Sequence, residues 1–148
     1  MPAFFTFGRV LFAVLFVFSG ASKLLDLSAT AQMTEKIVLP AALATYTGQL
    51  EGIVGMPMPQ IMAIAAGALE VICGLMIALN FGARFFAVLL ILFVVGATFY
   101  FHDFWNQTGA DARNNLFHAL KNLAIIGALF MIAGTSRAAK GQGPAYDV

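Results

Sequence analysis

Four stretches of this 148-residue chain are long and apolar enough to cross a membrane, and they leave little choice of fold. They lie at about 4–25, 57–79, 83–101 and 116–133. A hydrocarbon core of about 30 Å needs roughly 20 helical residues to span it. Lipid offers no partner to backbone N–H and C=O groups, so such spans are helices unless many short alternating strands close a barrel. No such strands are readable here. The expected fold class is therefore all-α, a four-transmembrane-helix bundle forming one integral membrane domain over residues 1–148. The composition agrees. Hydrophobic residues make up 61% and charged residues 10%, against about 25% charged in soluble domains. A net charge of +1 gives no reason to expect a nucleic-acid partner. The expected partner is the lipid bilayer.

The connections differ in character. A long loop follows the first span, and within it Ser28–Leu39 is expected to form a short interfacial helix, since Met33, Ile37 and Val38 fall near one face. Gly55-Met56-Pro57-Met58-Pro59 then starts the second span, where proline is tolerated because first-turn N–H groups lack helical partners. Asn80-Phe81-Gly82 reads as a tight turn. His102–Asn115 is a polar connection containing Trp105. The Gly-rich tail, 136–148, is expected to be flexible. The N-terminus imitates a signal peptide, with Arg9 before an apolar run and Ser19-Gly20-Ala21 after it. Apolar character resumes at Leu24-Leu25, so the run is read as a retained span. Basic residues give a slim positive-inside majority (Arg9, Arg84, Arg137, Lys140) with both termini cytoplasmic.

Glu70 is the residue that most needs explaining. A carboxylate within an apolar span is costly unless paired. Ala63, Gly67, Glu70, Gly74 and Ala78 lie within about 80° of one another on a helical repeat. Small residues on one face let a second helix approach closely, so Glu70 is expected in a packing seam. It is either a structural clamp there or a proton- or ligand-handling group. The other spans also show polar seams: Arg9, Gly20 and Lys23 in the first, Arg84, Thr98 and His102 in the third, Asn114, Lys121 and Ala128 in the fourth. Counting depth from the span ends places Arg9, Glu70 and Arg84 in an inner layer, and Lys23, His102, Asp103 and Lys121 in an outer one. Glu70 is expected to pair with Arg9 or Arg84. The outer layer, with Asn122, is a candidate anion or quinone-headgroup site; its plainer alternative is an interfacial salt-bridge network.

Other chemistry is poorly supplied. Cys73 is the sole cysteine, so no intrachain disulfide or CxxC pair exists. Two histidines, His102 and His118, show no metal-binding spacing, and no metal is expected. No phosphate loop and no Ser/His/Asp constellation is readable. The catalytic residues are unknown, and the sequence leans away from an intrinsic enzyme.

The order of small motifs resembles the DoxX family. The likeness rests on Gly8-Arg9, Ser19-Gly20-Ala21-Ser22-Lys23 and Leu39-Pro40, then Glu70 to Leu75 followed by Gly82-Ala83-Arg84-Phe85. It continues with Phe101-His102-Asp103-Phe104-Trp105 and with Lys121-Asn122-Leu123-Ala124. The resemblance implies a small, four-helix, multi-pass protein of a prokaryotic cytoplasmic (inner) membrane. It also implies a role as an accessory subunit of a redox or stress-response system, with an oxidoreductase partner or a homo-oligomer. Quinone is the cofactor that role would bring into contact, none being intrinsic. Glu70, Arg84, His102, Lys121 and Asn122 match polar positions that recur in the family, whose roles the resemblance does not assign. Against this stand a small proton-coupled transporter and a purely structural membrane organiser.

Overall fold

The computed structural model describes residues 3–135. The order is α1 (Ala3–Leu25), α2 (Leu27–Thr34), a 3-10 turn at Ala41–Leu43, α3 (Ala44–Val54), α4 (Met58–Ala78), α5 (Ala83–Phe101), a 3-10 turn at Phe104–Asn106, and α6 (Gly109–Thr135). Among the described residues there is no strand. The fold is all-α, and α1, α4, α5 and α6 carry the four segments long and apolar enough to cross a membrane. Phe4, Phe18, Leu92, Phe117 and Met131 stand largely exposed on these helices, as side chains that face lipid do. The tail, 136–148, lies outside the described residues.

The described residues form two compact units, one of Leu15–Ile72 and the other of 3–14 with 73–135. In the first, α1 and α4 run antiparallel and nearly touch at Gly20 and Gly67. A Cβ on Gly20 would lie 2.5 Å from the Gly67 carbonyl oxygen, and one on Gly67 would lie 2.8 Å from Leu24 Cγ. The small-residue seam is therefore a backbone-to-backbone crossing. Ala63, Gly67 and Glu70 are all buried on it.

The loop of this unit is more helical than its sequence suggests. α2 ends at Thr34, well short of Leu39. Pro40 disfavours helix at the residue before it, and the chain turns out through Lys36 and Ile37, whose N–H groups bond to Met33 and Thr34 carbonyls. The face of α2 turned inward carries two threonines and an alanine, Ala31. Thr30 and Thr34 are buried while Met33 is exposed. Their hydroxyls are satisfied by carbonyls: Thr30 donates to Lys23 O and Asp26 O, and Thr34 donates to Ala31 O and Pro59 O. α3 was not expected. It ends at Gly55, whose left-handed φ of 73° suits glycine. The Glu51 carboxylate of α3 then accepts the Met58 N–H at 2.6 Å, satisfying one of the open donors at the start of α4.

In the second unit, α4 ends in a Schellman turn. Asn80 takes a left-handed φ of 57°, its N–H bonds to Ile77 O, and the Phe81 N–H reaches back to Met76 O. Gly82, also left-handed, starts α5. α5 packs against α6, and the 104–106 turn packs on α6 as well. Ile77, Ala87, Leu90 and Leu129 are fully buried. α6 begins at Gly109 rather than near 116. Its first turns are polar but helix-compatible, and Asp111 there complements the positive end of the helix dipole.

Candidate functional site

Two polar clusters stand out, one in each unit. In the first, Glu70 is 4% exposed and Lys23 Nζ lies 2.6 Å from its Oε2. Lys23 also donates to Ser19 Oγ at 2.7 Å. Ser19 Oγ stands 3.3 and 3.2 Å from the two carboxylate oxygens. Ser19 and Lys23 sit one helical turn apart on α1, so both side chains reach the same point on α4. The Lys23 side chain remains 30% exposed.

Glu70 was expected to pair with Arg9 or Arg84; within its own unit the cation that meets it is Lys23. This pairing also removes the division that placed Glu70 in an inner layer and Lys23 in an outer one. Counting depth from helix ends assumes that the ends lie level, and they do not. α4 starts about two turns beyond the end of α1, alongside α2, as the Thr34–Pro59 bond shows. Glu70 therefore stands level with the last turns of α1.

The second cluster is built where α5 gives way to α6. The His102 and His118 rings stack at 4.9 Å with an interplanar angle of 6°. His102 Nδ1 lies 3.0 Å from Asn115 Oδ1. The Asn115 amide donates to Gln107 Oε1 at 2.6 Å and to Asp111 O at 3.2 Å. Gln107 in turn donates to Asp103 Oδ1 at 2.7 Å. Phe99, Trp105 and Phe104 form an aromatic group nearby in sequence, with Phe99–Trp105 centroids 5.7 Å apart and Phe104–Trp105 centroids 5.1 Å apart. One turn further into the spans, Asn122 donates to Thr98 Oγ1 at 2.9 Å, and Thr98 donates to Val94 O.

Of the remaining sequence candidates, Lys121 stands beside the second cluster, close enough for its charge to act on His118. Arg84 is exposed at the start of α5, suited to reach headgroups. Lys121 is exposed on α6, one turn beyond His118. Arg9 is half-buried and lines an apolar groove of about 340 Å³ with Phe4, Phe12, Ala128, Met131 and Ile132. Cys73 is buried. Among the described residues no three His, Cys, Asp or Glu side chains come together to hold a metal ion. Sequence reasoning missed Ser19, Gln107, Asn115 and the pairing of His118 with His102. Ser19 was signalled by its position one turn before Lys23; the amides carried no such signal.

The DoxX family model matches residues 4–103 of this chain. The chain belongs to the DoxX family. It is a multi-pass membrane protein, and the DoxX match includes Ser19, Lys23, Glu70 and His102 while stopping short of α6. A curated relative, Inner membrane protein YphA of Escherichia coli (strain K12), is 29% identical over 134 residues, covering 90% of this DoxX chain and 84% of the relative. No solved structure matches.

Proposed function

We propose that this DoxX protein is an accessory subunit of a redox or stress-response system in a prokaryotic inner membrane, and that it holds a quinone-type headgroup beside His102 and His118. One observation carries the reading. Two stacked, half-buried imidazoles stand at the end of an apolar span, and neither His102 Nε2 nor the His118 nitrogens meet a partner among the described residues. A headgroup that is flat and oxygen-edged matches such a surface, with ring faces for stacking and ring nitrogens for hydrogen bonds. The name of the Escherichia coli relative supports the inner membrane. The charge distribution supports cytoplasmic termini, which puts this cluster at the outer face.

The test is purification in mild detergent, followed by mass spectrometry of extracted lipids and co-purified proteins. Bound quinone that is lost in His118→Ala, or a co-purifying oxidoreductase, supports the reading. Absence of both overturns it. For the orientation, Asn106→Cys in a Cys73→Ala background should react with an impermeant maleimide in intact cells; reaction only after permeabilisation reverses the topology.

The first cluster favours a second, structural reading for its own unit. Lys23 and Ser19 engage the Glu70 carboxylate directly above the Gly20–Gly67 crossing, which suits a clamp that fixes helix register. A proton-coupled transporter would instead need Glu70 to exchange protons. Proteoliposome flux that is abolished by Glu70→Gln in a stably folded protein would favour transport over the clamp.

A further inference from the structure

The hydrogen bonds around His102 have a direction that the atoms themselves impose. The Asp103 carboxylate only accepts hydrogen bonds. Gln107 must therefore present its NH₂ group to Asp103, 2.7 Å away, and its oxygen to Asn115. Asn115 then presents its NH₂ to Gln107. The Asp111 carbonyl, another pure acceptor, binds that same NH₂ at 3.2 Å and fixes the Asn115 amide independently. What remains for His102 is the Asn115 oxygen, 3.0 Å from Nδ1. An acceptor facing Nδ1 requires a proton on Nδ1. In a neutral imidazole the other nitrogen is then an acceptor.

We infer that Asp103, Gln107 and Asn115 are positioning residues that hold neutral His102 as its Nδ1–H tautomer, so that Nε2 accepts a hydrogen bond and the site takes a hydroxyl-bearing headgroup, a hydroquinone, in preference to the carbonyl-bearing quinone. This rests on the headgroup reading above for its ligand, but not for its tautomer. His118 leaves the arrangement intact: its ring covers one face of His102 and does not compete for the ring edge. Asn115 stands one turn before His118 on α6, so the same helix supplies the amide that orients His102 and the ring that backs it.

The experiment is ¹⁵N NMR of the full chain in lipid nanodiscs, labelled at histidine, at about pH 8.5, above the ordinary imidazole range. His118→Phe leaves a single labelled histidine while keeping a ring to stack. The expected spectrum has a protonated Nδ1 and an unprotonated Nε2 for His102. Asn115→Leu should lose that pattern and move the population toward Nε2–H. Gln107→Ala should retain it, because Asp111 O still holds Asn115. If Asn115→Leu does not fold, the Gln107→Ala and parent spectra still decide the tautomer. A predominantly Nε2–H ring in the parent overturns the inference. Addition of a soluble para-hydroquinone should then shift the Nε2 resonance more than the matching para-quinone does. A larger response to the quinone overturns the ligand preference. An Nδ1–H ring that responds to neither probe overturns the headgroup reading and the preference together, and leaves the tautomer standing.

Discussion

Removing either partner of the Lys23–Glu70 pair leaves a charge behind, and the two residues are not equally able to tolerate it. Glu70 is almost fully buried, whereas the Lys23 side chain is 30% exposed and can turn its ammonium toward water or headgroups. Lys23→Met should therefore destabilise more than Glu70→Gln. A fully buried pair loses about 3–5 kcal/mol when one partner is removed. Partial exposure reduces this to roughly 2–3 kcal/mol for Lys23→Met, with less for Glu70→Gln. Unfolding in detergent, followed by thermal or steric-trap methods, measures the order, and a reversed order would show that Lys23 is the more dependent partner. Thr98→Val removes the acceptor for Asn122 and should cost only about 0.6 kcal/mol, as interhelical hydrogen bonds in membranes usually do. At this scale the sequence showed that Glu70 needed a partner but misidentified it. A carboxylate in an apolar run is legible one residue at a time. Its partner depends on the relative height of two helices, which Gly20 and Gly67 set by contact.

Between elements, the α1–α4 crossing makes a sharper prediction. At Gly20 an added methyl meets backbone, which cannot move aside. At Gly67 it meets chiefly the end of the Leu24 side chain, with the Gly20 carbonyl at 3.0 Å. Gly20→Ala should therefore destabilise more than Gly67→Ala. Gly96→Ala, which faces open space, should be near neutral. Equal effects at all three positions, read from melting in detergent, would falsify the close crossing. The turn after α4 offers a separate check: Asn80→Val should cost about 1–2 kcal/mol in the left-handed position, and Asn80→Gly little. Elements were legible in proportion to their hydrophobic pattern. α1, α4 and α5 are unbroken apolar runs. α3 contains Thr45, Thr47, Gly48 and Gly52, which give no helical signal, and it buries nothing. The start of α6 is polar and gave no apolar run to count. Gln107 and Asn115 were hidden for a related reason: neutral amides in a polar connection acquire meaning only when a fold brings them to a carboxylate and a ring.

For the whole molecule, the exposed apolar surface is the dominant physical fact. Bulky residues such as Phe4, Leu25, Phe81 and Met131 are 70% or more exposed, which water would not tolerate over four helices. Alkaline carbonate should leave the protein in the membrane fraction, and mild detergent should release it; recovery in the carbonate supernatant would contradict four spans. The Schellman turn has a further consequence, for biogenesis. Only residues 79–82 separate α4 from α5, too few for either helix to settle in the bilayer while the other waits outside. The two must insert as a hairpin, and the Glu70 side chain is carried in with them. Since α1 precedes α4 in the chain, Lys23 and Ser19 are synthesised before the carboxylate they hold.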